Sequence, residues 1–136
     1  MMLQAIDMYR RLFKPSKVLH QPYVMIGVPL LAAASDDEAE FLASSTYQRV
    51  LGILTGDRRP LQPPVKHFMQ QLHPQERAAI NDFLGAAVIG GPDKVRAGLT
   101  ALAHQTQADE FMLVCDMFDP ALRLKSLDIA AEVIGL

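Results

Sequence analysis

The chain has 136 residues, half of them hydrophobic and 21% charged, a composition that suits one globular domain with its own core. Thirteen basic against fifteen acidic residues leave a net charge of −2, which offers no electrostatic footprint for nucleic acid or an anionic membrane. Cys115 is the only cysteine, so no internal disulfide framework exists, and the N-terminal MMLQAIDMYRRLF carries Asp7, Arg10 and Arg11 where a signal peptide or membrane span would be apolar. A cytoplasmic protein is expected.

Met2 to Phe13 has a helical pattern, with Leu3, Ile6, Tyr9 (or Arg10) and Phe13 at three- and four-residue spacing. A loop punctuated by Pro15 and Pro22 follows. Tyr23 to Ala33 is apolar without alternation, as a strand covered on both faces would be, and Pro29 predicts a bulge or an edge within it. Ser35 and Glu38 form a capping box for a helix running to about Leu54, with Leu42, Thr46, Val50 and Ile53 on its buried stripe and Thr55-Gly56-Asp57 ending it. RRPLQPPV, from Arg58 to Val65, is too rich in proline for a regular element. A short helix over Lys66 to Leu72 is expected, then one from His73-Pro74 to Gly85 carrying Ala78, Ala79, Phe83 and Leu84.

The most informative stretch runs from Ala86 to Val133. Val88 and Ile89 close a short apolar run that Gly90-Gly91 breaks, and Pro92 opens a helix at the position where a missing N–H is tolerated. Val95, Leu99 and Leu102 fall on one stripe of that helix. Phe111 to Cys115 is a second short apolar run, and Asp119-Pro120 starts a last helix with Leu124, Leu127, Ala131 and Ile134 on one face. Two such βα units in succession predict neighbouring parallel strands with helices packed on one face.

Ile89-Gly90-x-Pro92-x-x-Val95, Ala108-Asp109-Glu110-x-Met112 and Arg123-x-x-Ser126, in that order, resemble the C-terminal end of bacterial luciferase-like, flavin-dependent monooxygenases. The run from Pro22 to Val28 resembles the preceding strand of the same family, so the resemblance covers nearly the whole chain. It implies a (β/α)8 barrel, which needs roughly 200–250 residues. This chain supplies only about three βα units at roughly 30 residues each. The expected fold is therefore α/β: a partial (β/α)8 TIM-barrel segment of about three parallel βα units with flanking helices, with residues 1–136 as a single domain resembling the last third of the barrel. In that reading Tyr23 to Ala33 is the sixth strand, and the strand after Gly85 is the seventh.

The resemblance also implies an activity, the oxidation of a small organic substrate with O2 and reduced FMN, with a flavin reductase as a possible partner. The family's flavin-ring contacts lie mostly in the first two-thirds of its chain, so the chain alone is expected to be catalytically incomplete, and no catalytic residue is carried over. Gly90 and Gly91 are the candidate cofactor-binding residues: a glycine turn opening a helix presents free N–H groups that can receive a flavin phosphate. The same turn also reads as a plain N-cap with a close-packing glycine, and Asp93 adds negative charge beside it.

Asp109 and Glu110 could do acid–base work but fall at the start of a strand, whereas Cys115 and Asp116 fall at the end of that strand, where barrel chemistry gathers. A lone cysteine there also reads as a small buried hydrophobe. Arg123 could pair with Asp119 or Asp128, and His20, His67, His73 and His104 have no metal-ligand spacing, so no metal is expected. A second functional reading is a non-catalytic oligomerisation or partner-binding module, because three βα units leave open strand edges and a bare apolar face. Its partner would be another copy or a separately encoded N-terminal barrel half. A third reading, an independent flavodoxin-like domain, is weakened by strand number, since such sheets usually need about five.

Overall fold

The computed structural model describes residues 1–135. In chain order the elements are α1 (Met2–Leu12), β1 (Met25–Ala32), α2 (Asp36–Thr55), α3 (Phe68–Gln71), α4 (Pro74–Phe83), β2 (Val88–Gly90), α5 (Pro92–Thr106), β3 (Glu110–Val114) and α6 (Pro120–Ile134). The helix starts follow their local chemistry. Ser35 accepts the amide of Glu38 while the Glu38 carboxylate receives that of Ala34, His73 and Glu76 form a second capping box, and Asp119 caps Ala121 at 2.8 Å. Gly56 ends α2 at φ 82°, a left-handed conformation that glycine adopts without strain.

The three strands form one parallel sheet in the order β2-β1-β3. This confirms the α/β class and the three parallel units with flanking helices. It corrects the expected adjacency of the last two strands: β1 lies between them. The reason is in the lengths. β3 has five residues and pairs with Met25 to Pro29 of β1, whereas β2 has three and pairs only with Leu30 to Ala32. Pro29, predicted to mark a bulge or an edge, sits where pairing passes from one neighbour to the other. The neighbour of β1 along most of its length is thus β3, and β2 is a short addition at its C-terminal tip.

Two cores form, one on each sheet face. Ile26, Val28, Leu30 and Ala32 of β1 meet Val95, Leu99 and Leu102 of α5 and Ile129, Ala130 and Val133 of α6. On the other face, Leu31 and Ala33 meet Ala39, Leu42, Tyr47 and Val50 of α2 and Ile80 of α4. That second face is covered only toward the strands' C-terminal ends. Lower down, Met25 is 48% exposed and Met112 55%.

Three expected stripes are corrected. On α6 the buried residues are Ser126, Ile129, Ala130 and Val133, while Leu124, Leu127 and Ile134 face outward. Apolar residues stand on more than one face of the helix, and its small and β-branched residues fit closer to β1 and α5. On α1, Met2 and Ile6 touch the core and Leu3 and Tyr9 are exposed, because Arg10 anchors the helix by donating to the carbonyls of Thr106 (2.9 Å) and Gln107 (2.6 Å) at the end of α5. On α4 only Ile80 is buried, and Phe83 is exposed.

Candidate functional site

A parallel sheet brings the C-terminal ends of its strands to one edge, where α/β proteins hold ligands. Here that edge gathers Ala33 to Ser35 after β1, Gly90-Gly91 after β2 and Cys115-Asp116 after β3. The Ala33 amide donates to the Gly90 carbonyl at 3.2 Å, joining the first two. Asp36, the first residue of α2, reaches the N-terminus of α5 and accepts the Gly91 amide at 2.7 Å. One carboxylate thus answers the positive ends of two helices.

The Gly91 amide, the group a flavin phosphate was expected to meet, already holds an internal anion. Gly90 explains the closeness: a Cβ there would lie 2.8 Å from Lys94 Cβ and 2.9 Å from Asp36 Oδ1. Gly90→Ala is expected to destabilise the chain by about 1–3 kcal/mol through overpacking, read as a lower urea midpoint at unchanged slope. An unchanged midpoint would show that the turn has room to spare.

Two α2 side chains meet the end of β3: Thr46, expected on the buried stripe and found there, and Arg49, which sequence reasoning did not single out. Thr46 Oγ1 donates to the Asp116 carbonyl at 3.0 Å, and the Arg49 guanidinium pairs with the Asp116 carboxylate. The pair is half-exposed, so its contribution to stability is about 1 kcal/mol at most. Its place matters more than its strength: it forms the polar rim of a small apolar pocket, about 150 Å³, whose walls include Leu31, Val50, Ile53, Phe83 and Val114. Arg49 was legible only as an arginine directly beside the buried positions Thr46 and Val50.

Cys115 lies at the same edge, half-buried, with Ser126 and the Met117 backbone near its thiol. Burial raises its pKa, so it stays a thiol at neutral pH rather than a nucleophilic thiolate. At pH 8 it is expected to react with Ellman's reagent more slowly than free cysteine, and equal rates would contradict the burial.

The remaining singled-out residues are tied into the fold. Asp109 Oδ2 accepts the Val24 amide at 2.7 Å and Glu110 accepts the Tyr23 hydroxyl at 2.8 Å, which pins the start of β3 to that of β1. Arg123 pairs with neither Asp119 nor Asp128; it donates to the Met117 carbonyl at 2.9 Å, because the chain before α6 turns back over it. His73 is a cap, and His104 lies in the last turn of α5. Among the described residues no three of His, Cys, Asp and Glu converge as metal ligands, and no helix is long and apolar enough to cross a membrane.

No protein-family model matches the chain. The uncharacterized protein YvbT of Bacillus subtilis is 41% identical over 129 residues, 95% of this chain and 38% of that protein. A luciferase-like monooxygenase of Escherichia coli strain K12 is 36% identical over 133 residues, covering 98% of this chain and 40% of its own length. Among solved structures, the crystal structure of apo-MsnO8 matches with a TM-score of 0.75 at 26% identity, over 98% of this chain and 41% of that one. The chain spans about two-fifths of the length of these relatives. Over nearly its whole length the chain is therefore similar to luciferase-like monooxygenases, and the two-fifths of their length that it matches is consistent with a C-terminal part.

Proposed function

We propose that the chain is part of an FMN-dependent luciferase-like monooxygenase, acting in the cytoplasm on a small organic substrate, and that residues 1–135 alone do not complete its site. The observation that carries this reading is the 36% identity to the E. coli luciferase-like monooxygenase along 98% of this chain but only 40% of that protein. Reduced FMN, when bound to the whole enzyme, would supply the electrons that activate O2, and a flavin reductase would be its source. The chain's own contribution is a wall: Leu31 and Val50 exclude water, and Arg49 and Asp116 fix the polar rim.

The flavin phosphate does not fit the Gly90-Gly91 turn as it stands. Asp36 would have to release the Gly91 amide, and Asp93 in the first turn of α5 repels an anion. Our reading therefore gives that phosphate no contact on this chain.

The test is a hybrid in which this chain replaces the matching stretch of the E. coli relative. It is expected to bind FMN, seen as quenched flavin fluorescence, while this chain alone neither binds FMN at low micromolar concentration nor turns over with a reductase. A folded hybrid without FMN binding would sink the assignment, and tight binding with turnover by the lone chain would sink its incompleteness.

The bare lower sheet face favours a second reading, a non-catalytic module that joins another copy or a separately encoded barrel half. Met25 and Met112 expose neighbouring apolar surface between two open edges. Light scattering is expected to give a dimer or larger, and a stable monomer at micromolar concentration would remove this reading.

A further inference from the structure

A second, larger cleft adjoins the apolar pocket. It lies between the C-terminal half of α2 and the segment 57–62, with a volume of about 600 Å³. Arg49, Arg58 and Arg59 line it, against Asp57 as the acidic member. Arg59 pairs with Asp57 and Arg49 with Asp116, whereas Arg58 has no ion-pair partner among the described residues. The cleft's floor depends on Gly52, since a Cβ there would lie 2.5 Å from the Asp57 carbonyl oxygen. The segment is also fastened to α2, by Gln48 donating to the Pro63 carbonyl at 2.9 Å and by the Val65 amide donating to Ser44 Oγ at 2.7 Å. The arginines are thus presented by a strapped segment rather than a free tail. Arg49 and Ile53 line both cavities, so the apolar pocket and the arginine cleft lie side by side with these two residues as their common wall.

From this juxtaposition of an apolar pocket at the strands' C-terminal ends with an arginine-lined cleft, we infer that the substrate is a small organic anion. Its aliphatic body lies against Leu31, Val114 and Phe83, and its carboxylate, sulfonate or phosphate head lies among Arg49, Arg58 and Arg59. Guanidinium groups suit such heads because their planar donors meet two oxygens at once. Arg58, unpaired by any carboxylate, is the first contact. The apolar pocket holds only a short chain and has no space for a three-ring flavin. The inference names the substrate class of the proposed monooxygenase and rests on that reading for the word substrate, but the binding it claims needs no flavin.

The experiment uses the chain alone, labelled with ¹⁵N, and titrates butyrate, butanesulfonate, butyl phosphate, butanol, inorganic phosphate and FMN while following amide shifts. At least one butyl anion is expected to produce saturable shifts centred on residues 48–62. It should bind roughly tenfold more tightly than butanol and than inorganic phosphate, since each of these lacks one half of the recognition. The exposed pair Arg58→Gln with Arg59→Gln should weaken it by a similar factor and leave the rest of the spectrum unchanged. Butanol binding as well as the anions, shifts centred elsewhere, indifference to the arginine substitutions, or FMN outcompeting every aliphatic anion at these residues would each overturn the inference. The hybrid's FMN binding is read separately, so either result can fail while the other stands.

Discussion

Leu30→Ala is expected to lower stability by about 2–5 kcal/mol, enough to leave the chain largely unfolded in mild urea. Leu30 has no exposed surface and lies at the crossing of the sheet with α5 and α6. It is also the first residue of β1 paired with β2, so the cavity would open beneath a junction held by only three register pairs. Leu124→Ala is the matched control. Leu124 belongs to the stripe that periodicity marked as buried, yet it is 65% exposed, and its loss is expected to change stability by less than about 0.5 kcal/mol. Urea midpoints for the two variants separate the observed packing from the expected one. Similar losses would mean that α6 is rotated from the orientation described above.

Ser126→Val is the second large effect, about 1–3 kcal/mol from the unpaired amide, with overpacking by the added methyl acting in the same direction. Ser126 is fully buried, and its Oγ accepts the Ala32 amide at 2.8 Å. Valine would leave that amide buried without a partner, at the tip of β1 where α6 and the sheet meet. The same change removes the hydroxyl that favours the Cys115 thiolate, so the thiol's pKa is expected to rise further and its reaction with Ellman's reagent to slow. Ser126→Thr, which keeps the hydroxyl, should recover part of the stability. A valine variant as stable as the parent would show that the Ala32 amide finds another acceptor.

The elements themselves were readable because their ends carry strong local chemistry. Ser35 with Glu38, His73 with Glu76, and Asp119 before Pro120 each fix a helix start through bonds within four residues. The α5 stripe of Val95, Leu99 and Leu102 was readable because polar residues flank it. The α6 face was not, since Leu124, Leu127, Ile129 and Val133 offer periodicity two answers and only the neighbouring sheet chooses between them. Strand order was hidden for a similar reason: whether β2 or β3 lies beside most of β1 depends on how many residues each can pair. The site was partly legible. Gly90 and Gly91 stood out as a glycine turn, but the carboxylate that fills it comes from Asp36, 55 positions earlier. Arg49 and Asp116 are 67 apart and share no motif.

The strand order also sets a timetable for synthesis. Val24 and Asp109, which join the starts of β1 and β3, are 85 residues apart. At roughly 5–20 residues per second, β1 waits several seconds after emerging from the ribosome before its principal neighbour has been translated. During that wait its apolar run is a sticky ribbon that a chaperone could shield. Once released, the chain must close a long loop before the pairing yields any stabilisation, so its refolding belongs to the slow range typical of distant contacts, milliseconds to seconds.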